Sequence, residues 1–251
     1  MIAIISPAKT LDYKRAVPPV PITRPVFEED ALKLAQAAAK MPAKKLGALM
    51  HISDSLAKLN AQRFRSFQEQ PERPAIYAFA GDVYAGFEVH SLDEEAILFA
   101  QDHLRILSGL YGLLRPLDRI RPYRLEMGTK WAPRRKDLYA FWKERIANLL
   151  LQDLEAMPAR TVINLASKEY WQAVAGKLPA DVQVVEIDFR EEGPSGLRFN
   201  TFAAKRARGM MARYICEHRL DDPEALKGFD SDGYAFDPGN SDGGRWRFTR
   251  S

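Results

Sequence analysis

The chain has 251 residues, 46% hydrophobic and 28% charged, with a formal net charge of +4. Those proportions belong to a globular chain with a core to bury, and they exclude a disordered or fibrous protein. One cysteine, Cys216, excludes an internal disulfide, and His51, His90, His103 and His218 lack metal-ligand spacing, so no metal and no cofactor are expected.

Met1–Ser6 reads as a buried strand that ends at Ser6-Pro7, and the proline-rich stretch to Pro25 reads as an extended loop. Helices follow at Glu28–Lys40, just after Pro42 and at Ser53–Phe67. Pro74–Val89 carries four aromatics and two glycines, the pattern of a turn-rich wall around a cleft or of a packed core element. Ser91-Leu92-Asp93-Glu94 spells a capping box before a helix through Leu104. Ile106–Leu114 holds Gly109 and Gly112 and predicts a short strand or a tight hairpin.

One helix is expected over Asp137–Leu151 with Asp137 as its cap. Thr161–Ala166 is a strand feeding a helix near Ser167, Val182–Phe189 another strand, and Phe202–His218 a strong helix. Gly209 inside that helix costs about 1 kcal/mol against alanine, which points to close approach of a neighbour. Tyr234–Phe236 and Arg245–Thr249 read as a terminal hairpin. Strands separated by helices predict an α/β or mixed α+β fold, one domain over 1–251, with a central mixed sheet flanked by helices. No dinucleotide or P-loop fingerprint occurs. No apolar run approaches the roughly 18 residues of a membrane span, and no export signal is visible, so a cytoplasmic protein that meets no membrane is expected. The oligomeric state is left open by the sequence, with a monomer favoured.

The charge is unevenly distributed. Residues 105–136 hold nine Lys or Arg against two acids, a local excess of seven, which points to an anionic partner. In helix-hairpin-helix proteins a glycine hairpin turns its N–H groups to a phosphate without reading sequence. Gly109 and Gly112 are candidates for that role, with Arg115, Arg119, Arg121, Arg124 and Lys130 extending the contact. Lys205 and Arg208 lie one helical turn apart near a helix start, where free N–H groups also favour an anion. Asn164, Ser167, Lys168 and Glu169 follow a strand, where open α/β sheets hold ligands, although capping accounts for Ser167. Lys9 and Thr10 lie in a loop after the first strand. Asp82 and Tyr84 complete the candidate polar cleft, and Tyr84 and Tyr111 are candidates to stack on exposed bases.

Six segments together resemble the YaaA family of peroxide-stress proteins. They are I-S-P-A-K-T-L-D at 5–12, A-G-D-V-Y-A-G-F at 80–87, L-S-G-L-Y-G-L-L-R-P-L-D at 107–118, N-L-A-S-K-E-Y at 164–170, K-R-A-R-G-M-M-A-R-Y at 205–214 and G-F-D-S-D-G-Y at 228–234. The resemblance implies a single-domain fold peculiar to the family, a positively charged cleft and a helix-hairpin-helix-like element, placed here near 91–124. It also implies binding of duplex or junction DNA and a role in limiting damage from hydrogen peroxide and intracellular iron. The expected function is therefore DNA binding with little sequence specificity, without assigned catalysis. The alternative is an enzyme acting on a phosphorylated small molecule or nucleotide in the same cleft. An open groove favours the first; an enclosed pocket holding Glu169 or Asp82 beside Lys205 favours the second.

Overall fold

The computed structural model describes residues 1–194 and 196–251. Ile2–Ile5 is wholly buried, as its four apolar residues require, and becomes a middle strand of a seven-stranded sheet. The strand order is Ala235–Phe236, Arg245–Arg250, Gln183–Glu191, Thr161–Asn164, Ile2–Ile5, Leu104–Ser108, Gly112–Leu114. The five inner strands run parallel, and the two edge strands are antiparallel to their neighbours. This is the mixed α/β architecture that the alternation of strands and helices predicts. One apolar cluster continues from Met1 to Phe248 across both halves of the chain.

From Ile2–Ile5 the chain reaches Leu104–Ser108 on one side, then crosses back to Thr161–Asn164 on the other. The loops after Ile5 and after Asn164 therefore meet at a topological switch point, where a parallel sheet opens a crevice at its carboxyl edge. Ser6 Oγ accepts the Ser167 N–H at 2.9 Å, and the Tyr84 hydroxyl donates to the Ser6 carbonyl at 3.2 Å. Thr10–Leu11 pairs with Phe79–Ala80, so the 5–12, 80–87 and 164–170 segments share one corner of the fold.

The predicted helices appear at Glu28–Ala39, Ala43–Met50, Asp54–Arg65, Glu94–His103 and Thr201–Glu217. Pro42 stands at the N-cap of the second helix, one place before its first turn. The Glu94 helix is capped by Asp93, whose carboxylate accepts from Ala96 N–H at 2.7 Å. Ser91, the expected cap, instead donates to the Glu88 carbonyl. Asp137 caps as expected, but the single helix expected over 137–151 breaks at Lys143, which takes φ 46°. The result is two helices, Leu138–Trp142 and Arg145–Glu155. An apolar stripe continues through the break, and periodicity alone does not see it.

The Pro74–Val89 segment is mostly helical, with short helices at Ala75–Ala78 and Asp82–Phe87. Asp82–Phe87 crosses Thr201–Glu217 at backbone distance. A Cβ on Gly209 would stand 1.8 Å from the Val83 carbonyl oxygen, and one on Gly86 would stand 2.1 Å from that of Arg206. The close neighbour that Gly209 implied is therefore this helix, and the crossing brings Asp82 toward Lys205.

The helix-hairpin-helix-like element expected near 91–124 has another form. After the Glu94–His103 helix the chain makes the β-hairpin Leu104–Ser108 and Gly112–Leu114, and no helix follows until Leu138. Gly112 takes φ 71° against the Trp142 ring, and a Cβ on Gly109 would lie 2.3 Å from the Leu125 carbonyl oxygen. Both glycines are buried, so the hairpin tip faces the core and its N–H groups do not reach a surface phosphate.

Candidate nucleic-acid interface

Much of the basic segment answers acids distant in sequence. Arg105 is 2% exposed and donates from Nε to Asp153 at 2.5 Å, while Arg115 Nη2 donates to the other oxygen of Asp153 at 2.6 Å. Arg119 pairs with Glu72 at 3.0 Å and Glu28 at 3.5 Å, and Arg121 pairs with Glu72 at 2.5 Å. Arg124 and Lys9 share Glu126, at 3.0 Å and 2.7 Å. The local excess of seven thus falls where the fold supplies carboxylates from other elements.

The remainder is different. Lys130, Arg134, Arg135 and Lys136 are exposed and, among the described residues, have no carboxylate within 4.0 Å. Residues 132–135 form a tight turn closed by the Arg135 N–H donating to the Ala132 carbonyl at 3.2 Å, and Arg134 takes φ 57° within it. A non-glycine residue in the left-handed region is uncommon, and here it displays three consecutive cations. Glu169 positions the loop leading to this turn: its Oε1 accepts from Gly128 N–H at 2.9 Å, and its carbonyl accepts from the Tyr139 hydroxyl at 2.8 Å. Glu169 and Lys130 line one hollow over that contact.

On the other side of the Lys168–Trp171 turn lies a cavity of about 600 Å³, lined by Asn164, Ser167, Lys168, Trp171, Phe199, Lys205 and Arg208 among others. Lys205 reaches Asp82 only at 3.9 Å. The Arg208 guanidinium makes no ion pair or hydrogen bond among the described residues, and its Nε is buried without a partner. Burial pulls its guanidinium below the usual arginine range, with Asp188 acting in the opposite direction. Asn164 is 7% exposed; its Oδ1 accepts from Ala166 N–H at 3.0 Å and its amide nitrogen has no protein acceptor among the described residues.

Some expected roles change. Ser167 makes no capping bond, and its hydroxyl lies 3.4 Å from Ser6 Oγ instead. The start of the Thr201 helix offers fewer free donors than expected, because Asn200 Oδ1 accepts from Phe202 and Ala203 N–H groups. Tyr84 and Tyr111 are 7% and 2% exposed, so neither can stack on a base. Burial also holds Tyr84 well above its ordinary pKa, leaving it a neutral donor at neutral pH. Thr10 is exposed on its two-residue strand, outside the cavity.

The strand Gln183–Glu191 supplies cavity residues that sequence reasoning missed: Glu186, Asp188 and Arg190 alternate with the buried Val185, Ile187 and Phe189. That alternation is the signal that could have found them. Among the described residues no three His, Cys, Asp or Glu gather to hold a metal ion, and no helix is long and apolar enough to cross a membrane.

Residues 1–240 match the family described as peroxide stress protein YaaA. A UPF0246 protein of Rhizorhabdus wittichii is 60% identical over the whole of both chains. UPF0246 proteins of Caulobacter vibrioides and Jannaschia sp. are 48% and 49% identical over all of this chain and 99% and 97% of theirs. With full-length relatives of this closeness and a family match across nearly its whole length, the chain belongs to the peroxide stress protein YaaA family.

Proposed function

We propose that this protein serves the oxidative-stress response in the cytoplasm by binding duplex or junction DNA along the carboxyl edge of its sheet, without reading sequence. The observation that carries the reading is the Ala132–Arg135 turn, whose exposed cations lack internal partners among the described residues while those at 105–124 have them. Lys130 extends the positive face, and Lys168 continues it toward the cavity holding Lys205 and Arg208. Unpaired cations release counterions when they meet phosphates, whereas arginines held by Glu72, Glu126 or Asp153 have already exchanged hydration for a carboxylate.

The test is a salt series of binding to duplex, four-way junction and single-stranded DNA. The logarithm of affinity should fall with the logarithm of salt, at about 0.9 per phosphate neutralised on B-form DNA. Affinity that stays constant from low to moderate salt would remove the electrostatic reading.

A further inference from the structure

We infer that the cavity holding Arg208 is a site for one nucleoside monophosphate, either free or at the 5′ end of a nucleic-acid strand. It is a concave site, separate from the exposed 130–136 loop on which the DNA reading rests.

Five cations line the cavity, and the charge of three of them, Lys168, Lys205 and Arg208, is poorly met within it. Lys205 has only Asp82 at 3.9 Å; among the described residues Lys168 has no carboxylate within 4.0 Å, and the Arg208 guanidinium has neither ion pair nor hydrogen bond. The lining carboxylates are already paired with other arginines, two of them in the lining itself. Glu186 pairs with Arg245 at 3.3 Å, and Asp188 pairs with Arg190 at 2.9 Å and Arg247 at 3.1 Å. A half-buried guanidinium with no ion pair of its own costs stability that an anionic ligand recovers. A phosphomonoester dianion suits three cations better than a single carboxylate does.

The rest of the lining shows that the ligand exceeds a bare phosphate. A volume of about 600 Å³ lies in the range of small-molecule sites. Trp171, Ile187 and Phe199 supply apolar and aromatic surface, with Phe199 48% exposed and the Arg190 guanidinium 5.3 Å from its ring centre. A half-exposed ring beside a cationic cavity is a stacking platform for a planar base. The unpaired Asn164 amide nitrogen adds a donor, and the Thr201 hydroxyl adds a group for a sugar or base edge.

Thermal shift and calorimetry on the full chain test this with adenosine and guanosine 5′-monophosphate, adenosine, inorganic phosphate and a 5′-phosphorylated oligonucleotide. We expect the monophosphates to stabilise the protein and adenosine not to. Lys205→Gln, on an exposed side chain, should weaken the monophosphates about tenfold, the effect of removing one charge-assisted hydrogen bond. Phe199→Ala should weaken them while leaving inorganic phosphate unchanged. Stabilisation by the phosphorylated oligonucleotide alone, abolished in Lys205→Gln, also supports the site and identifies the strand end as the ligand's source. The inference is overturned if none of the phosphates stabilises the chain, if inorganic phosphate binds as tightly as the monophosphates, or if Lys205→Gln binds like the parent. A variant with Arg134, Arg135 and Lys136 changed to Ala should keep nucleotide binding, so failure of the DNA reading would not be mistaken for failure of this one.

Discussion

Gly86 and Gly209 face each other where two helices touch backbone to backbone, each leaving room for a carbonyl from the other helix. A methyl group at Gly209 would lie 1.8 Å from the Val83 carbonyl oxygen, a distance no side-chain adjustment relieves. Gly209→Ala gains intrinsic helix propensity of about 1 kcal/mol and still has to part the helices. Overpacking should win, destabilising the protein by about 3 kcal/mol in urea denaturation. A midpoint equal to the parent's would show that the helices can separate freely.

The glycine crossing was legible because a helix-interior glycine has a local cost that demands a reason. The strands at 1–6 and 161–166 and the Asp137 cap were legible for similar local causes. The fate of the basic segment was not, since Glu28, Glu72 and Asp153 come from other elements and only the fold carries them to Arg119, Arg121 and Arg105. Gly109 and Gly112 misled for the same reason: two glycines announce close approach but do not say whether the neighbour is a phosphate or Trp142. One-turn spacing puts Lys205 and Arg208 on the same side of their helix, and the fold brings both to one cavity with Asn164, Ser167 and Lys168.

Asp153 holds two arginines at the opposite end of the sheet, and its removal should be felt as reduced stability. Burial raises its carboxyl, but the hydrogen bonds and charges of Arg105 and then Arg115 outweigh this and leave it below the ordinary value. A carboxyl depressed in the folded state stabilises fully above its unfolded pKa and loses that contribution as pH falls through the folded one. Asp153→Asn should cost about 3 kcal/mol at neutral pH, because Arg105 stays buried without a counter-charge. The gap between parent and variant should narrow below about pH 4, as the parent carboxyl protonates. A gap constant down to the acid limit would show that the charge of Asp153 is not what matters.

Cys216 should take no part in peroxide chemistry. It is fully buried in the Thr201–Glu217 helix, and burial pushes its thiol well above the ordinary range. Peroxide and thiol reagents attack the thiolate, so the native protein should resist both, and labelling should appear only on unfolding. Cys216→Ala should leave DNA binding before and after peroxide treatment the same as in the parent. Rapid labelling of the folded chain would instead make this residue a candidate redox sensor.

Two sets of cations in the basic segment should behave oppositely. Arg134, Arg135 and Lys136 have no internal partner among the described residues, so changing all three to Ala should leave thermal stability within about 0.5 kcal/mol. Each phosphate that the variant no longer neutralises should lower the salt slope by about 0.9 on duplex DNA. Arg119 and Arg121 both reach Glu72, and their guanidinium Nε atoms are buried. Changing that pair to Ala strands the half-buried Glu72 carboxylate and should destabilise the fold by about 1 kcal/mol or more, with a smaller change in salt slope. Fluorescence anisotropy across a salt series, run beside urea denaturation on both variants, separates the two effects. If the pair alters the slope and the triple variant does not, the DNA face lies at Arg119 and Arg121, and the exposed turn is only a solvated loop.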